Sequence, residues 1–92
     1  MNAVDLDRQK QGILRRSRMS CDRLLEAFEN YMKDPQQNST TAKSVYASYA
    51  ASIDRIGLQA GETAQRLGTT LDAKELVTEY KGRLSRLFEK YS

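Results

Sequence analysis

Apolar residues along this chain recur at intervals of three and four, the signature of helices with one buried face. From Ile13 onward, Leu14, Cys21, Leu24, Leu25, Phe28, Tyr31 and Met32 fall on one arc at about 100° per residue. This predicts a first helix over residues 6–33, with Gly12 the one position that weakens its N-terminal part. Asp34-Pro35 ends it, because the residue before a proline is pushed out of the helical region. The polar stretch to Ser39 is a short connection, with Ser39 or Thr40 expected to cap the next helix.

The second helix is predicted over residues 41–67. Ala42, Tyr46, Tyr49, Ile53, Ile56, Ala60, Thr63 and Leu67 follow a 4-3-4-3 spacing, a heptad seam. Gly68 suits the left-handed position just past a helix end. A third helix is predicted over residues 72–91. Asp72 and Glu75 are spaced as a capping box, Leu71 and Leu76 as a hydrophobic staple. Its stripe is Leu76, Val77, Tyr80, Leu84, Leu87, Phe88 and Tyr91.

The expected fold is therefore all-α: an antiparallel helical hairpin with a third helix packed on it, coiled-coil-like, in a single domain over 1–92. Composition agrees. The chain has one proline, five glycines and no tryptophan, too little turn punctuation for a sheet protein. The stretch from Met1 to Asp7 is mixed and acidic with no apolar run behind it, so neither a secretory leader nor a membrane span is expected. With the single cysteine Cys21, this points to a reducing, cytoplasmic setting, the host cytoplasm if the protein is viral.

Chemistry is constrained by absence. There is no histidine, so a zinc site fails on ligand count and general acid–base catalysis loses its usual agent. No phosphate-binding glycine loop occurs: Gly57 and Gly61 lie inside the second helix, without the lysine and serine that would follow. No enzyme activity, cofactor, metal, small-molecule substrate or membrane partner is expected.

Two surfaces remain. Between residues 8 and 23, Arg8, Lys10, Arg15, Arg16, Arg18 and Arg23 face a single acid, Asp22. All but Lys10 lie opposite the apolar arc, a cationic face suited to a nucleic-acid backbone or an acidic protein partner. The same face is equally readable as a solvated one, with Arg18–Asp22 and Arg23–Glu26 forming ordinary surface pairs. No aromatic side chain stands among these arginines to stack on bases. The second surface is the seam of the second helix, where Tyr46, Tyr49, Ile53, Ile56 and Ala60 are candidates both for the core and for self-association into a homo-oligomer. Cys21 lies on the apolar arc, where it acts as a small hydrophobe.

The Lys33-Asp34-Pro35 break, the Tyr/Ala/Ile helix from Val45 to Ile56 and the Leu67-Gly68 stop before a short last helix together resemble the oligomerisation region of bacteriophage small terminase subunits. That resemblance implies a ring-forming assembly protein acting on viral DNA. Two functional classes follow: a self-associating phage-type assembly protein whose first helix meets nucleic acid, or a small adaptor or inhibitor that docks a helix face on a partner protein and binds no nucleic acid.

Overall fold

The computed structural model describes residues 3–92 and consists of three helices packed on one another: α1 (Ala3–Lys33), α2 (Ser39–Arg66) and α3 (Lys74–Tyr91). They form a rod of 53 × 16 × 16 Å. α1 and α2 run antiparallel, and α3 returns along both, parallel to α1. Among the described residues there is no strand, and no helix is long and apolar enough to cross a membrane.

α1 is continuous through Gly12. At that point a Cβ would approach only the Arg16 guanidinium, so the glycine is a tolerated helix residue and not a break. Its innermost line is Ile13, Ser17, Cys21, Phe28 and Met32, all buried. Ser17 belongs to that line although its polarity hides it from an apolar pattern. Leu14, Leu24, Leu25 and Tyr31 flank it, half-buried.

The α1–α2 connection is a turn built on Pro35. The Asp34 carboxylate accepts from the Gln36 amide at 2.9 Å, and the Gln37 amide donates to the Asp34 carbonyl at 3.2 Å. The cap of α2 is Asn38, not Ser39 or Thr40: its side-chain oxygen accepts from the Thr41 amide at 2.8 Å. The far end follows expectation. Gly68, at φ 83°, donates to the Gln65 carbonyl, and Thr69 donates to the Ala64 carbonyl, both at 3.0 Å, which is a Schellman closure.

The buried positions of α2 are Ala42, Ile53, Ala60 and Ala64. Ala42, Ile53 and Ala64 are eleven residues apart, the repeat of a nearly straight helix, whereas a strict heptad drifts by about 20° per repeat. By the last heptad the drift has turned Ala64 inward and left Leu67, expected at the end of the seam, 38% exposed.

α3 begins later than predicted, at Lys74, with Ala73 in the cap position and no side-chain cap. The capping box does not form, because the Asp72 carboxylate accepts instead from the Lys74 amide, two residues on, at 2.9 Å. Nor do the two staple leucines share a site: Leu76 enters the main core, while Leu71 packs on a second cluster.

The core is graded along the rod. At the α1–α2 turn it is aromatic: the Phe28 ring meets Tyr46 and Tyr49 at 6.2 and 5.4 Å, and Tyr46 meets Phe88 at 4.9 Å, all tilted. Such pairs add roughly 0.5–1.5 kcal/mol each beyond burial and here tie all three helices together. At the other end Ile13, Ala60, Ala64 and Ala73 replace aromatic bulk, so the helix axes draw close. At Gly57 an added Cβ would lie 2.4 Å from a Val77 methyl, the tightest α2–α3 approach recorded at any glycine.

Candidate nucleic-acid interface

Each cation of α1 is placed by the register of the apolar line behind it. Arg8, Arg15, Arg16, Arg18 and Arg23 are exposed, and Lys10 is half-buried on the inner side. They do not act alike. Arg18 leans over the flank toward α3, where its guanidinium meets the Glu79 carboxylate at 3.1 Å and lies 5.9 Å from the Tyr80 ring centre. The hydrogen bond to Glu79, followed by the interaction with Tyr80, raises its pKa. Among the described residues, Arg8, Lys10, Arg15, Arg16 and Arg23 form no ion pair. The expected Arg18–Asp22 and Arg23–Glu26 pairs are not made.

For Arg18 and Asp22 the reason is a polar cluster across α1 and α3. Buried Tyr80 donates to the Asp22 carboxylate at 2.7 Å. Arg83 lies 4.9 Å from the same ring, reaches Glu79 at 3.1 Å, and stands 4.0 Å from Asp22. Asp22, the one acid in the basic segment, is thus drawn to the α3 side. Burial, first, and the bond to Asp22, second, raise the Tyr80 pKa above 10.0.

On the opposite flank, α1 and α2 enclose an open trough of about 170 Å³. Arg16, Ser17 and Ser20 line it from α1, and Gln59 and Thr63 from α2. No carboxylate lines it. Arg23 extends the Arg16–Ser20 row by three residues. Arg55 and Arg66 extend the Gln59–Thr63 row at both ends, at the four- and three-residue spacings that keep helix neighbours on one face. Both are exposed, and neither forms an ion pair among the described residues. Arg16 therefore stands in a trough that mixes hydroxyl and amide groups with Ile13, Ile56 and Ala60, and the rows that form its walls continue to Arg23, Arg55 and Arg66. Neither Arg55 nor Arg66 stands out in the sequence, since each is a lone cation in a mixed helix. Only the antiparallel pairing of α1 with α2 joins them to Arg16 and Arg23.

The second set of predicted residues faces inward. Ile53 is 0% and Ala60 3% exposed, covered by the chain's own helices. Tyr46, Tyr49 and Ile56 are half-buried against the same core. Cys21 is wholly buried, and burial pushes its thiol pKa up to about 11. No group of acidic or cysteine side chains that could hold a metal occurs among the described residues.

Comparison with protein-family models, with curated proteins and with solved structures finds no match for this chain.

Proposed function

We infer that this chain is a non-catalytic binding protein whose α1–α2 flank grips the phosphate backbone of double-stranded nucleic acid. The observation that carries the reading is the division of charge across the rod. Asp22 and Glu79 are engaged on the α3 side, while Arg16 lines a trough with no carboxylate in its lining, and exposed Arg23, Arg55 and Arg66 continue the helix rows that form its walls. Unpaired guanidiniums offer bidentate donors to phosphate and release its condensed counterions. The serine, threonine and glutamine side chains between them supply the neutral donors that also serve phosphate contacts. No aromatic side chain lines the trough, which favours a stacked duplex over splayed single-stranded bases. The resemblance to small terminase subunits points toward the same class of partner, a phage-type assembly acting on DNA.

The test is a fluorescence-anisotropy titration of a ~20-bp duplex at salt from about 50 to 200 mM. With four to six arginines engaged, the slope of log K against log salt is expected near −4 to −5. Arg16→Gln and Arg55→Gln should each reduce it by about 1, with no dependence on base sequence. Binding that ignores ionic strength, or that survives charge reversal at Arg15 and Arg16, contradicts the reading.

A further inference from the structure

A second groove, of about 620 Å³, lies between α2 and α3 on the side away from the trough. Gly57 and Gly61 leave its floor without side chains, and Leu71 and Val77 make its wall apolar. Its α2 edge is the row Asp54, Leu58, Glu62, spaced four residues apart and exposed throughout. Leu58 is 64% exposed, the most open leucine of the described chain. One exposed leucine means little, since folded surfaces carry many apolar atoms. A leucine held between two carboxylates on the lip of an apolar groove has a defined complement: an apolar side chain between two cations, at the same spacing on another helix.

The chain carries that complement. On the outer face of α1, Arg15, Met19 and Arg23 are also four residues apart and fully on the surface, with Met19 49% exposed. Each row spans about 12 Å. Rows of this spacing are the ridges by which helices interlock, commonly at about −50°. In either direction of docking, Met19 meets Leu58 while Arg15 and Arg23 meet the two carboxylates. Asp54 is held by Lys81 at 3.2 Å, but that pair is exposed and contributes at most about 1 kcal/mol, so it is easily exchanged.

We propose that the chain assembles head to tail, the Arg15–Met19–Arg23 ridge of one copy seated on the Asp54–Leu58–Glu62 ridge and glycine-floored groove of the next. The two ridges occupy different faces of the rod, so the contact is heterologous and repeats into a ring or a filament. Arg23 is given up to the ridge, while Arg16, Arg55 and Arg66 lie off it, so the trough keeps three of its four arginines in the assembly. The proposal goes beyond the nucleic-acid reading and is tested without nucleic acid.

Two variants decide it. Met19→Ser with Arg23→Ser removes one ridge, and Leu58→Ser with Glu62→Ser removes the other. All four side chains are exposed, so helicity by circular dichroism stays at the parent level. Light scattering and sedimentation at low salt, from about 10 μM to about 1 mM, should show the parent growing beyond the 10.5-kDa chain and each variant remaining at that mass. Mixed together, the two variants should form a 1:1 dimer and nothing larger, because only one intact interface remains between them. A parent that stays monomeric throughout, a variant that assembles as the parent does, or a mixture that stays monomeric overturns the proposal. Duplex binding by the Leu58→Ser, Glu62→Ser chain is scored separately. Its loss would count against the trough and leave the ridges untouched.

Discussion

The substitution Gly57→Ala isolates the closest approach between two helices of this fold. In an exposed helix interior, replacing glycine by alanine stabilises by roughly 0.5–1 kcal/mol, because less backbone freedom is lost on folding. At Gly57 the new Cβ would lie 2.4 Å from a Val77 methyl, with the Ala73 Cβ 3.8 Å away. Valine in a helix is held to one side-chain rotamer, so the methyl cannot swing aside and α2 must move from α3. Overpacking of that kind costs about 1–3 kcal/mol. The net expectation is a loss of about 1–2 kcal/mol, which for a domain of this size lowers Tm by roughly 5–15 °C. Thermal melts followed by circular dichroism measure it. Gly12→Ala and Gly82→Ala are the controls, since their added Cβ atoms would meet only arginine side-chain tips at 4.0 and 3.9 Å. Both should gain about 0.5–1 kcal/mol. In the double variant Gly57→Ala, Val77→Ala the clash disappears, and the pair should couple favourably by about 1–2 kcal/mol. If Gly57→Ala raises Tm as Gly12→Ala does, or if the double variant is simply additive, the close approach is not there.

Other consequences follow from the core and the polar cluster. Ile53→Asp places a carboxylate at a wholly buried position with no cation against it and should abolish helicity, whereas a seam exposed between chains would lose only assembly. Phe28→Ala empties the centre of the aromatic end and should cost about 3–5 kcal/mol, read from urea melts. Tyr80 is held neutral in the fold and ionises near pH 10.0 once unfolded, so stability should fall as pH rises above that value. Tyr80→Phe should remove this slope while costing roughly 1–1.5 kcal/mol at neutral pH for the lost bond to Asp22. Cys21, buried with its thiol near 11, should resist a thiol reagent at pH 8 at any rate faster than global unfolding; labelling at the speed of a free thiol would contradict its placement.

How far the sequence disclosed this arrangement depended on how local each signal was. The α1 stripe, the break at Asp34-Pro35 and the stop at Gly68 are written in a few adjacent residues, and all three stand in the structure. Signals with two local solutions were harder to place. Asp72 fits a capping box and an aspartate turn equally well in sequence, and the chain takes the turn, starting α3 at Lys74. That α2 has a buried face is legible, but the path of that face is not: a 4-3 pattern is ambiguous over three repeats, and the helix buries Ala64 and not Leu67. Tertiary partners were not legible at all. Nothing near Arg18 in sequence indicates Glu79, sixty-one residues away, and nothing joins Arg55 and Arg66 to Arg16 until α1 and α2 lie side by side. In the sequence the basic face belongs to one helix, whereas the candidate site belongs to two.

The most direct measurement is a nuclear magnetic resonance titration of the labelled chain with a short duplex, read amide by amide. Shifts should concentrate on residues 8–23 of α1 and 52–66 of α2, along the trough, and fade as salt is raised. Shifts centred on α3 between Lys74 and Tyr91, or no shifts at low salt, would contradict the division of charge on which the account rests.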